Sequence, residues 1–104
     1  MIQIETVTEG ARLIERLGAL FAERPEVVAV ALGGSRASDA ADAASDIDLY
    51  VYTRAEIPVE AREAMVARAG GATRADMAQN YWGPSDQWFD AATGVEVDAV
   101  YFDA

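Results

Sequence analysis

The pair Asp46 and Asp48, threaded through the apolar positions Ile47, Leu49 and Val51, constrains this chain more than any other feature. Polar and apolar residues that alternate with a period of two mark a strand buried on one face. Asp46, Asp48 and Tyr50 then share one side, and Ile47, Leu49 and Val51 share the other. Carboxylates at i and i+2 stand roughly 7 Å apart along such a face. On a half-buried surface they repel each other, which raises the pKa of at least one. The arrangement therefore calls for a cation between them. An all-oxygen donor set suits Mg²⁺, which commonly binds through one or two protein carboxylates plus substrate phosphates. Upstream, the apolar run 27–32 ends in Gly33-Gly34-Ser35-Arg36. A glycine turn lets a phosphate approach the backbone, and the serine adds a hydroxyl donor.

The rest of the chain supplies a frame for these two motifs. Leu13, Ile14, Leu17, Leu20 and Phe21 recur at helical spacing behind a capping-box pair, Thr6 and Glu9, which predicts a helix over 7–23 stopped by Pro25. The nearly continuous apolar run 27–32 reads as a central, buried strand. Residues 35–44 are small and polar, with Ser35 or Ser38 placed to cap a short helix, and Asp39 and Asp42 read as loop charges. A second strand spans 47–53. Pro58 opens a second helix and Gly70-Gly71 closes it, with Ala61, Ala64 and Met65 as its buried positions. Residues 72–81 read as a third strand, Gly83-Pro84-Ser85-Asp86 as a turn, and 95–102 as the last strand. On that strand Asp98 shares a face with Glu96 and Val100. Tyr81, Trp82 and Trp88 read as a core lid over the sheet, with base stacking as the alternative. Glu96 reads as a solvated carboxylate, with reach to a metal or substrate as the alternative. The pattern predicts one domain, 1–104, of the α/β or α+β class, with a mixed sheet of three to five strands flanked by helices.

Composition excludes several kinds of chemistry. Eighteen acidic residues against eight basic ones leave a net charge of −10. All the basic residues are arginine, and the absence of lysine, histidine and cysteine removes a lysine phosphate loop, a histidine base, a thiol nucleophile and a zinc-thiolate site. A long nucleic acid needs a basic stripe that this chain lacks. A nucleoside triphosphate needs only a local positive field, and the acidic surface favours a cationic acceptor. The N-terminal residues carry no signal-peptide pattern, and no apolar run is long enough to span a bilayer, so no membrane partner is expected and the cytoplasm is the default compartment.

The two motifs together resemble the nucleotidyltransferases with the fold of DNA polymerase beta. In that family an apolar strand ends in Gly-Ser, a spacer of about ten residues follows, Asp-x-Asp opens the next strand, and a later strand brings a third carboxylate. Asp98 matches that third position in order and strand context. The resemblance implies a polymerase-beta-like fold and transfer of an NMP unit from an NTP, ATP first, to a hydroxyl of a small molecule or of a helical partner protein. It implies two Mg²⁺ ions, with Mn²⁺ as a substitute, held by Asp46, Asp48 and Asp98. Asp98 also becomes the group that accepts the acceptor's proton. Gly33, Gly34, Ser35 and Arg36 become the nucleotide-binding turn. Two alternatives remain open: an antitoxin-like module of the same fold that covers a partner, and a nucleotide sensor with little or no turnover. The chain is either a stand-alone minimal domain or the N-terminal part of a longer enzyme.

Overall fold

The computed structural model describes residues 9–33, 46–80 and 83–104. Helix α1 (Glu9–Ala22) leads into strand β1 (Val27–Gly33), followed by β2 (Ile47–Thr53), α2 (Val59–Arg68), β3 (Ala72–Gln79), β4 (Ser85–Asp90) and β5 (Glu96–Asp103). The strands form one mixed sheet in the order β1-β2-β5-β4-β3. Only the β2–β5 pair is parallel; its neighbours run antiparallel. Residues 34–45 separate β1 from β2. The α2–β3–β4 segment lies between β2 and β5 in sequence, which gives a parallel pair the long connection it requires.

Both helices pack on one face of the sheet. Leu13, Leu17, Leu20 and Phe21 of α1 form a buried stripe against Ile47, Leu49 and Val51 of β2 and Val97 and Ala99 of β5. Each such side chain, taken out of water, stabilises the fold by about 1.5–3 kcal/mol. Trp88 of β4 is only 2 % exposed and completes this layer, so its expected role in the core holds. Its Nε1 has no hydrogen-bond partner among the described residues. Burial along β2 alternates strictly, as the sequence period requires. The helix-free face carries Asp48 and Tyr50 from β2 and Asp98 and Val100 from β5, all half-buried.

Helix ends follow their sequence signals. After Ala22, α1 tightens through Glu23 N–H to Leu20 C=O and Arg24 N–H to Phe21 C=O before Pro25 prevents continuation. Pro58 occupies the N-cap of α2, and its carbonyl accepts from the Ala61 and Arg62 N–H groups. At the other end Gly70 N–H donates to Ala67 C=O and Gly71 N–H to Val66 C=O, the two bonds of a Schellman motif. Gly70 reaches that geometry at φ +128°, which a side chain at this position would resist. The capping pair expected at Thr6 and Glu9 lies outside the described side chains, as do Ser38, Asp39, Asp42, Tyr81 and Trp82.

Three expectations are corrected. The run at 27–32 is an edge strand, not a central one, because among the described residues β1 pairs only with β2. The parallel pairing of β5 takes the inner side of β2 and leaves β1 outside. Val27, Val30 and Leu32 still pack on the core, whereas Val28 is 52 % exposed. In α2 the buried positions are Arg62, Met65 and Val66; Ala61 is half-buried and Ala64 exposed. The segment expected as a turn at 83–86 is a turn only at Gly83 and Pro84, since Ser85 and Asp86 open β4. No helix among the described residues is long and apolar enough to cross a membrane.

Candidate active site

Sheet register brings together what the sequence separates by fifty residues. On the helix-free face Asp48 of β2 lies directly beside Asp98 of β5. On its other side Asp48 pairs with Gly33, the last residue of β1. Asp98 in turn neighbours Gln87 of β4. One row across four strands therefore reads Gly33, Asp48, Asp98, Gln87. Asp46, exposed just before β2, stands at the same end of the sheet. Asp48, Asp98 and Gln87 line a cleft of about 490 Å³ together with Tyr50, Val100, Ser85 and Gln79. That volume is in the range of small-molecule and nucleotide sites.

Electrostatics mark the row as unsatisfied. Burial raises the Asp48 carboxyl above its ordinary value, and the Asp46 charge adds to the effect. Asp98 is pushed up to about 7, first by burial, then by the charge and hydrogen bond of Glu96, then by Asp48 and Asp46. Glu96 is not the solvated carboxylate expected from sequence. It is half-buried, and its Oε1 accepts a 2.9 Å hydrogen bond from Gln87 Nε2. Repelling, partly desolvated carboxylates on adjacent strands are the donor set that a hard divalent cation relieves. Among the described residues no three acidic side chains converge into a metal cage. Asp48 and Asp98 are thus the fitted pair, with Asp46 at their margin. Mg²⁺ needs no more than one or two protein carboxylates, so these residues suit it.

A pH dependence follows, with its sign set by the direction of the Asp98 shift. An acid whose folded pKa lies above its unfolded value favours folding fully below the unfolded pKa, and that contribution is lost as pH rises towards the folded value. For Asp98 the window runs from the ordinary aspartate range to about 7. In the cation-free protein, Asp98→Asn is expected to gain urea resistance relative to the parent at pH 8 and to show little difference at pH 4. Equal differences at both pH values would contradict the assignment.

Gly33 has a structural role that its motif did not announce. A Cβ placed there would lie 2.5 Å from the Tyr50 ring, so the ring packs where a side chain would otherwise stand. Gly34, Ser35 and Arg36 lie outside the described residues, and nothing in the structure bears on their placement. The sequence reading missed Gln79, Ser85 and Gln87 in the cleft. It also missed a buried cluster behind it, on the helix-covered face. Asp86, fully buried, accepts from Arg62 Nη1 at 2.6 Å, from the Tyr101 hydroxyl at 2.6 Å and from the Ala78 N–H at 2.8 Å. Arg62 Nε also donates to Ile57 C=O, and its guanidinium lies over the Tyr101 ring. Burial and the Asp86 charge both raise the Tyr101 hydroxyl's pKa. The alternation of Asp86, Trp88 and Asp90 was the available signal, masked by the turn-forming Gly83-Pro84 before it.

A mixed sheet with helices on one face and half-buried carboxylates on the other defines an α+β domain. Residues 15–74, more than half of the chain, match the family Polymerase beta, Nucleotidyltransferase, and the chain belongs to that family. The match runs from within α1 to the start of β3 and so includes Asp46 and Asp48. Asp98 lies beyond it, and its place in the site rests on the register with Asp48. A search of curated proteins gives no match.

Proposed function

We propose that this domain transfers an NMP unit from an NTP, ATP first, to an acceptor hydroxyl on a small molecule or a partner protein. The observation that carries the reading is the pairing of Asp48 with Asp98 across adjacent strands in an open cleft. Asp48 and Asp98, with Asp46 beside them, would hold Mg²⁺, which supplies charge neutralisation at the α-phosphate and at the departing pyrophosphate. The acceptor oxygen forms a bond to the α-phosphorus as the bond to the β-phosphate bridging oxygen breaks. Asp98, beside Asp48 in the row, would take the hydroxyl proton. Gly33 ends β1 beside Asp48, and Gly34, Ser35 and Arg36, which follow it in the sequence, would bring backbone N–H groups, a hydroxyl and a guanidinium to the β- and γ-phosphates.

Calorimetric titration of ATP with and without Mg²⁺, followed by a pyrophosphate-release assay, tests this reading. Mg²⁺-dependent binding with pyrophosphate release supports it. Binding without release under any hydroxyl donor would favour the nucleotide-sensing alternative. Absence of binding would refute the nucleotide site.

A further inference from the structure

The cleft has a second row, one repeat along the strands from the carboxylates. Tyr50 pairs with Val100, Val100 with Ser85, and Ser85 with Gln79. This row carries no charge. Tyr50 and Val100 offer an aromatic wall and an apolar floor, while Ser85 and Gln79 offer a hydroxyl and an amide that both donate and accept.

Gln79 reaches the row through an irregularity in β3. Asp76 opposes Gln87, but three residues later it is Gln79, not Ala78, that opposes Ser85. A regular antiparallel ladder would place Ala78 there, with only a methyl group to show the cleft. The extra residue is Ala78 itself, at φ +58°, a left-handed conformation uncommon for a residue with a Cβ. Its N–H donates to Asp86 Oδ1, on the opposite face of the sheet. Asp86 is held in turn by Arg62 and Tyr101. The bulge is therefore clamped from the buried side, and the consequence on the open side is an amide in place of a methyl. Bulges beside active sites commonly re-aim a side chain in this way.

We infer that the uncharged row is the nucleobase subsite of the cleft, with Gln79 as its hydrogen-bonding contact and Asp86 as the positioning residue that keeps Gln79 there. The inference rests on the nucleotide reading above and adds where the base lies. A nucleoside triphosphate has a charged end and a flat, neutral end edged with donors and acceptors. The cleft has a charged row and a neutral row roughly 7 Å apart. A glutamine amide can bind the edge of adenine through two hydrogen bonds, and an aromatic ring gives the base a stacking surface.

The experiment compares Mg·ATP with Mg·tripolyphosphate, which has the charged end only, by calorimetry on the full chain. The parent should bind ATP more tightly than tripolyphosphate. Gln79→Leu should weaken ATP by about 5- to 10-fold, the worth of a lost hydrogen bond or two, and leave tripolyphosphate unchanged. The double variant Arg62→Leu/Asp86→Leu, assayed well below its melting point, should show the same selective loss. An ATP affinity unchanged in Gln79→Leu, or equal loss for both ligands, overturns the base subsite while leaving the nucleotide reading intact. Retained ATP preference in the double variant removes Asp86 from the positioning role. A parent that binds neither ligand overturns both readings together.

Discussion

Asp48→Asn is expected to weaken Mg²⁺-dependent ATP binding severely and, in the cation-free protein, to raise the thermal midpoint. The two effects have one cause. Asp48 sits between Gly33 and Asp98 in the row, half-buried, where burial and neighbouring charge disfavour its ionised form. A neutral amide of nearly the same shape removes that repulsion, so the fold gains. The same amide is a poor ligand for a hard cation, and loss of one carboxylate from a pair should lower Mg²⁺-coupled affinity on the order of 100-fold. Conflict between stability and function at a single residue is what an active site maintained for its ligand would show. Calorimetry with Mg·ATP and a melting curve without Mg²⁺ measure both signs on one preparation. An Asp48→Asn protein that bound Mg·ATP as well as the parent would remove Asp48 from the metal site.

Arg62→Leu is expected to be the most destabilising single change at a charged position. It leaves the Asp86 side chain fully buried without its guanidinium partner. Breaking one side of a buried ion pair costs about 3–5 kcal/mol, a large part of the 5–15 kcal/mol that typically holds a small domain together. Burial makes this pair unlike the exposed contact between Arg68 and Glu23, whose side chains are more than half accessible and whose loss should be nearly silent. The double variant Arg62→Leu/Asp86→Leu strands no charge. It should therefore recover part of the loss, although the Tyr101 hydroxyl and the Ala78 N–H lose their acceptor. Urea midpoints of the parent, both single variants and the double close the cycle. A cost below about 1 kcal/mol for Arg62→Leu would mean that Asp86 finds solvent or another donor, contrary to its complete burial.

The local elements of this fold are legible in the chain because each rests on short-range chemistry. A period of two set both faces of β2 correctly, and helical spacing identified the α1 stripe of Leu13, Leu17, Leu20 and Phe21. Pro58 and Gly70-Gly71 bounded α2 because capping requires only neighbouring backbone. The strand at 72–81 was likewise expected, and β3 fills most of it. Harder to see was β4, because Gly83-Pro84-Ser85-Asp86 has the composition of a turn and the turn stops two residues earlier.

The amino-acid sequence by itself determined which residues share a face: Asp48 with Tyr50, and Asp98 with Glu96 and Val100. Tertiary structure alone decided which strands lie side by side. Periodicity contains no term for pairing between distant segments, so nothing local could say that Asp48 would meet Asp98, or that β1 would stand at an edge despite its apolar run. The same holds for Asp86. Its neighbours in the chain suggest a solvated turn, while Arg62, Tyr101 and Ala78 reach it only after α2, β5 and β3 have packed. Long-range register turned an acidic strand into half of a candidate metal site, and a buried carboxylate into the clamp behind its cleft.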